Sequence, residues 1–411
     1  MMSNLVPKLR FKEFSGKWEE EKISKFFKTY SGGTPSTTNK SYYGGTIPFI
    51  RSAEINKLKT ELFLTNDGIE NSSAKLVKKG DVLYALYGAN SGDVAISKID
   101  GAINQAILCL DSKEASNSFL YYNLTNIKTK IINQYIQGGQ GNLSGDIIKS
   151  LEVFFPKEKQ EQQKIANCLS SLDSLIEAQN KKVEALKEHK KGLMQQLFPS
   201  EGETVPELRF DGFSGEWESN KVLDDISDIV RGGSPRPIDD YMTLANDGLN
   251  WLKIADVDKN SKYVTHTKER VKKSALSKTR EVHIGDLILS NSMSFGRPYI
   301  MKIKSCIHDG WIAVTDIESY ISSDYLYYMI LSPRSQKFFI DYAAGGGIRN
   351  LNADIIKSLP IPFPKVEQEQ EKIADCLSSL DSLIDAQNKK VEALKEHKKG
   401  LMQQLFVSSE G

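Results

Sequence analysis

The sequence predicts an α+β fold in which two similar globular domains are separated by a long antiparallel two-helix coiled coil, with pseudo-twofold, circular organisation. Three observations predict it. Gln160 to Phe198 returns from Gln368 to Phe406 with 36 of 39 positions identical, the copies differing only at Gln163/Glu371, Asn167/Asp375 and Glu177/Asp385. Val6 to Trp18 returns as Val205 to Trp217 with 9 of 13 positions identical. Between these markers, residues 19–157 and 218–365 share an order of motifs but little sequence.

The N-terminal segment VPKLRFKEFSGKW comes first, and its second copy directly follows the first long repeat after the short linker Pro199 to Thr204. The path therefore closes into a ring if the second long repeat ends beside the N-terminus. Each block then carries a Gly-Gly-[Thr/Ser]-Pro turn (Gly32 to Pro35; Gly232 to Pro235) and a strand-like run (Ile47 to Ile55; Asn250 to Val257). A Gly-Asp turn feeds a β-rich run (Gly80-Asp81 into Val82 to Tyr87; Gly285-Asp286 into Leu287 to Ser290), and an aromatic helical stretch follows (Phe119 to Leu124; Tyr325 to Leu331). A Gly-rich loop (Gly138 to Asn142; Gly345 to Asn350) and the string Asp-Ile-Ile-Lys-Ser-Leu close each block before Pro156 or Pro364. Short strands and helices punctuated by such turns predict α+β domains.

The repeated stretch reads as one amphipathic helix. Ile165, Leu172, Leu186 and Leu193 fall on a seven-residue grid with Gln179 as its polar member, and Leu169, Ile176, Val183 and Leu197 line the adjacent row. At about 1.5 Å per residue it makes a rod of roughly 58 Å, and the partner with a matching stripe is its own copy. The first helix leaves block one and ends where block two begins, and the second starts after block two, so the pair should run antiparallel. The resulting division is 1–157 for the first globular domain with its ring-closing segment, 158–198 for helix one, and 199–217 for the linker and repeated segment. It continues with 218–365 for the second domain, 366–406 for helix two and 407–411 for the tail.

Lys and Arg number 54 against 53 Asp and Glu, a formal charge of +1 over 411 residues, so any basic face must be local. The cysteines, Cys109, Cys168, Cys306 and Cys376, show no CxxC spacing, which fits a reducing cytoplasm. No apolar run approaches the roughly 20 residues that span a bilayer, and the expected location is cytoplasmic.

Catalytic signatures are missing: no GxxxxGK[ST] phosphate loop, no [DN]PP[YF] adenine-methylation loop, no HExxH and no GxSxG. Gly139-Gln140-Gly141 before Gly145 has the wrong spacing for a dinucleotide loop. The histidines, His189, His266, His283, His308 and His397, form no ligand spacing, and Asp81 and Asp286 read as turn caps. No catalytic, cofactor-binding or metal-binding residue is assigned.

Binding chemistry is better represented. Arg, Asn, Gln and Ser read base edges and Lys neutralises phosphates. In block one the candidates are Ser36, Thr37, Asn39, Lys40, Tyr42, Arg51, Tyr87, Asn90, Ser91, Gln140 and Asn142. In block two they are Arg236, Lys253, Lys272, Lys273, Asn291, Ser292, Ser294, Arg297, Arg349 and Asn350. Lys272 and Lys273 belong to a basic run, Thr267 to Arg280, that also holds Lys268, Arg270, Lys278 and Arg280; a merely solvated face is the alternative there. Tyr121, Tyr122, Tyr327 and Tyr328 read as core. On the helices, the outward face of Lys181, Lys182, Glu184, Lys187 and Glu188, repeated as Lys389, Lys390, Glu392, Lys395 and Glu396, is the candidate docking surface for one partner bound twice.

GGTPS at Gly32 to Ser36, GGSP at Gly232 to Pro235, the Gly-Asp turns, and Ser-Leu-x-x-x-Phe-Pro followed by Glu-Gln and a long helix, all twice, resemble the specificity (S) subunit of type I restriction-modification enzymes. The resemblance implies two target recognition domains, each reading half of a bipartite, asymmetric double-stranded DNA site, with the helices as a ruler for the unread spacer. It also implies two methyltransferase (M) subunits docked on the helices and two motor-nuclease (R) subunits. S-adenosylmethionine, ATP and Mg would belong to those partners, with no cofactor in this chain. The rival readings are a coiled-coil scaffold that pairs two copies of a protein partner without reading DNA, and a fused methyltransferase-specificity chain, which the missing [DN]PP[YF] loop disfavours.

Overall fold

The structure, a computed structural model, describes residues 5–112, 115–136, 142–258, 261–291, 296–343 and 351–407. Two long helices, Lys159–Leu197 and Glu367–Leu405, hold 39 residues each, one residue out of phase with the repeated stretch at both ends. The chain packs as two units, Met1–Asn180 with Lys389–Gly411, and Lys181–Asn388, so each unit takes half of each long helix.

Within both units the helix halves run antiparallel. In the first, Ile165 and Leu169 share a core with Met402 and Leu405, and Lys398 donates to Asp173. In the second, Met194 and Leu197 share a core with Ile373 and Leu377, and Lys190 donates to Asp381 at 2.6 Å. Ile165, Leu169, Val183 and Leu197 are buried, whereas Leu172, Leu186 and Leu193 are half-buried, since a two-stranded seam covers only one side of a helix.

The first unit's block has two four-stranded sheets. One runs Phe27–Ser31, Ile107–Ser112, Val82–Ala85, Val94–Ile96, antiparallel throughout. The other runs Leu62–Leu64, Tyr43–Ile50, Gly101–Ile103, Lys75–Val77, with one parallel pair in its centre. Val82 to Ala85 are all buried because both faces of their sheet are covered. Leu83, Ala95 and Cys109 meet the second sheet's Ile50, Val77 and Ile103, while Val82, Tyr84 and Leu110 join Phe119, Phe155 and Phe406 beside the helices.

The second unit's block repeats this plan with five strands per sheet. The first is Asp228–Arg231, Trp311–Thr315, Leu287–Ser290, Pro298–Met301, Tyr263–Val264; the second is Met242–Thr243, Glu269–Val271, Leu249–Leu252, Ser305–Ile307, Arg280–Val282.

Several element boundaries differ from the sequence expectation. The Gly-Gly motifs are not turns: a Cβ on Gly32 would lie 1.8 Å from Ile103 O, and one on Gly232 2.2 Å from His308 O. Close backbone approach, and no unusual φ, therefore requires glycine there. Gly80 and Gly285 do turn, at φ 99° and 98°, and the next residue caps as expected: Asp81 accepts from Lys78 N and Asp286 from His283 N, both at 2.7 Å. The runs Ile47 to Ile55 and Asn250 to Val257 leave the strand at Ile50 and Leu252 and wind into 3-10 turns, Ser52–Glu54 and Ile254–Asp256, closed by Glu54 and Asp256. Val82 to Tyr87 is a strand only as far as Ala85.

The aromatic stretch of block one extends into the helix Asn117–Tyr135, whereas that of block two, Ser323–Leu331, stops at Ser332 and resumes as Pro333–Ala343. A proline cannot donate into the preceding turn but suits the first position of a new one. Ser116 and Ser322 cap these helices, each cap worth about 1 kcal/mol. Tyr122, Tyr327 and Tyr328 are buried and Tyr121 half-buried.

Burial pushes the Cys109 thiol up to about 12 and that of Cys306 up to about 11. Native-state alkylation at pH 8 should therefore label the half-buried Cys168 and Cys376 and spare Cys109 and Cys306 until the chain is unfolded; mass spectrometry of the labelled peptides checks this.

Candidate nucleic-acid interface

In each unit, segments far apart in sequence are hydrogen-bonded into one loop cluster at an end of the first sheet. In the first unit Gly33 N donates to Ile103 O at 3.2 Å and Thr34 Oγ1 bonds Gln105 Oε1 at 2.6 Å. Leu86 N then donates to Ala106 O at 2.8 Å, and Leu143 N to Leu86 O at 3.0 Å. The second unit matches it bond for bond: Gly233 N to Ile307 O at 3.2 Å, Ser234 Oγ to Asp309 Oδ1 at 3.0 Å, Asn291 N to Gly310 O at 3.1 Å and Leu351 N to Asn291 O at 3.2 Å. Main-chain bonds carry most of this frame, so the side chains on it can vary without moving it.

On that frame, Ser36, Thr37, Asn39, Lys40 and Asn142 are exposed, and Tyr42, Tyr87, Asn90 and Ser91 half-buried. Asn39 Oδ1 accepts from Ser41 N at 3.2 Å, and Ser91 Oγ donates to Leu86 O at 2.9 Å, so these two also hold their own turns. Arg236 is exposed, 3.8 Å from Asp309. Gln140, Ser292, Ser294, Arg349 and Asn350 lie outside the described residues, as do Gly138 to Gly141 and Gly345 to Asn350.

Two candidates sit elsewhere, at matched positions. Arg51 Nε donates to the buried Glu54 at 2.9 Å and the guanidinium also meets Glu61; hydrogen bonds to Glu54 and then Glu61 hold its pKa above the ordinary arginine value. Lys253 likewise opens its 3-10 turn and pairs with Glu269. In the basic run, Lys272 Nζ donates to Asp240 O at 2.6 Å and Lys273 meets Asp247 at 3.0 Å, while Arg270 reaches Asn246 O at 3.2 Å. The run latches onto residues 240–247 while remaining largely at the surface.

Sequence reasoning missed Gln105 and His308-Asp309, which share no letters and come into correspondence only through strand register. It also left the Glu-Gln after each Phe-Pro unexplained. Glu161 is 1% exposed, takes a bidentate pair from Arg10 at 2.8 and 2.7 Å and accepts from Trp18 Nε1 at 3.3 Å. Glu369 does the same with Arg209 at 2.8 and 2.9 Å and Trp217 Nε1 at 3.3 Å. Gln162 accepts from Ser116 N at 3.0 Å and donates to Pro156 O at 3.2 Å; Gln370 accepts from Ser322 N at 2.9 Å and donates to Pro364 O at 3.0 Å. Each long helix thus clamps, through its first turn, the repeated Arg/Trp segment and the helix cap of its block. Farther along, Tyr122 and Tyr328 donate to Asp173 and Asp381, both at 2.8 Å, and burial followed by the neighbouring carboxylate raises both phenol pKa values.

The ten helix residues read as a docking face are all exposed: Lys181, Lys182, Glu184, Lys187 and Glu188 in the second unit, Lys389, Lys390, Glu392, Lys395 and Glu396 in the first. Lys187 pairs with Glu184 at 2.8 Å and Lys395 with Glu392 at 2.7 Å, along one helix surface in each case. Among the described residues no group of three or more His, Cys, Asp or Glu is placed to hold a metal, and no helix is long and apolar enough to cross a membrane.

The family model described as type I restriction modification DNA specificity domain matches residues 15–188 and again 214–396. The chain belongs to that family. This specificity chain is 25% identical over 423 residues to the type I restriction enzyme MjaVIII specificity subunit of Methanocaldococcus jannaschii, covering 97% of this chain and 95% of that one. The MjaIX specificity subunit of the same organism is 33% identical over 181 residues, 41% of each chain. Two solved structures share the specificity chain's fold. The S subunit of a type I restriction-modification system from M. genitalium superposes with a TM-score of 0.60 at 18% identity, over 98% of this chain and 99% of that one. A chain from a structure titled for complex assembly and conformational transition of the type I system gives 0.63 at 16%, over 96% and 98%.

Proposed function

We propose that this chain is the DNA-reading subunit of a type I restriction-modification complex. Block one, within 1–157, and block two, 218–365, each read one half of a bipartite, asymmetric double-stranded site. The long helices set the unread spacer and dock two methyltransferase subunits on the repeated exposed faces. The chain supplies register and base readout in the cytoplasm. Methyl transfer from S-adenosylmethionine, and translocation and cleavage driven by ATP and Mg, fall to the M and R partners. No membrane is involved.

The observation that carries the reading is the loop cluster. Each unit builds the same main-chain frame from Gly-Gly, the loop after the Gly-Asp strand, and the segment before the closing helix, yet decorates it with different polar side chains. A fixed frame with variable polar decoration suits two recognitions of one kind of ligand with different sequences. Of the candidates, Arg51 and Lys253 are committed to internal carboxylates and contribute least; Ser36, Lys40, Asn90, Arg236 and Arg297 sit on or beside the frame.

Methylated adenines in cells with and without this gene, the methyltransferase partner being present in both, provide the test. Loss of one bipartite methylated motif on deletion is the expected result. An unchanged set of motifs would overturn it and favour the scaffold reading.

A further inference from the structure

Strand register matches the two units residue by residue at the loop end of the first sheet. Leu83 faces Ala95 and Cys109 where Ile288 faces Tyr299 and Ala313; Ala85 faces Ile107 where Ser290 faces Trp311. Both loops close through a glycine of positive φ, Gly92 at 85° and Gly296 at 68°. The next residue is Asp93 in the first unit and Arg297 in the second. Four matched positions therefore change from Ala85, Asp93, Ala95 and Ile107 to Ser290, Arg297, Tyr299 and Trp311.

These four second-unit residues form a connected set. The Arg297 guanidinium lies 5.8 Å from the Tyr299 ring centre, and that ring meets Trp311 edge-on at 5.7 Å. Ser290 and Trp311 are 0% and 1% exposed, and among the described residues Ser290 Oγ, Trp311 Nε1 and the Nε of the half-buried Arg297 find no hydrogen-bond partner. A guanidinium held on an aromatic face keeps its planar donor edge available for a bidentate acceptor. In the first unit the matched side chain is an acceptor instead, and Asp93 is paired with Lys128 of the neighbouring helix.

We propose that Arg297 reads a base in the half-site of the second domain, donating to the O6 and N7 acceptors of a guanine. The assignment rests on the DNA-reading function above and adds to it which side chain reads and what it reads.

The test uses the full chain with its methyltransferase partner in cells, sequencing methylated adenines for the native chain and for Arg297→Ala, Arg297→Gln and Asp93→Ala. Arg297→Ala should cut discrimination at one guanine of one half-site by roughly five- to 150-fold, leaving other positions as they were. Arg297→Gln should move preference at that same position from guanine to adenine, a gain that misfolding cannot mimic. Asp93→Ala, which removes a carboxylate already held by Lys128, should leave that guanine as it was. Unchanged preferences in both Arg297 variants, relaxation of that guanine by Asp93→Ala, or loss of all methylation in both Arg297 variants would each overturn the assignment, since a base reader alters preference, not assembly. A native chain whose deletion leaves all motifs in place would instead remove the DNA-reading function itself.

Discussion

Exchanging residues 218–365 for the corresponding block of a relative should replace one half of the methylated site and leave the other half intact. All strands of the block's two sheets lie inside that range, so its loop frame travels with it. What it must keep is its attachment: Ser322 for Gln370, Tyr328 for Asp381, and the Pro364 carbonyl, at the block's C-terminal end, for Gln370. Each has a counterpart in the first unit, namely Ser116, Tyr122 and Pro156, so a relative that retains these contacts should seat without repacking. Sequencing of methylated adenines reads the result, and a change in both halves would end the modular account.

Glu369→Ala should destabilise the second unit by roughly 3–5 kcal/mol, the usual consequence of removing one partner from a buried ion pair. Glu369 is 1% exposed and Arg209 16%, so the orphaned guanidinium has little water to turn to. Glu161→Ala should do the same in the first unit through Arg10, at 14% exposure. Denaturant unfolding of the purified chain measures the cost, and limited proteolysis should show early cutting in residues 205–217 or 5–18 respectively. A loss below about 1 kcal/mol would mean that the pairs behave as surface ion pairs.

The long helices were legible because a 39-residue apolar stripe repeated in one chain leaves few other structures open, and both ends fell within one residue. The order of motifs was equally legible, since Gly80-Asp81 and Gly285-Asp286 announce the same turn in both blocks. The Gly-Gly segments were misjudged as turns because sequence shows that a side chain is missing without showing what presses against the space; Ile103 and His308 do so from elsewhere in the chain. The pairing of Arg51 with Glu54 and Glu61 was not legible for a related reason, as sequence does not show which carboxylates a guanidinium meets. The matched roles of Gln105 and Asp309 emerge only once strands are paired, because the two residues share neither identity nor neighbours.

The split of the chain into its two units also has a consequence for synthesis. Residues 181–388 form one uninterrupted stretch, so the second unit needs nothing made after Asn388. The first unit must wait: Trp18 and Phe119 share their core with Phe406 and Val407, and Leu9 N bonds Gln404 O. Its N-terminal block spends nearly the whole of translation with an open apolar face, closed only by contacts whose sequence separation approaches the chain's full length. Loss of the last dozen or so residues would therefore strike the half of the molecule made first.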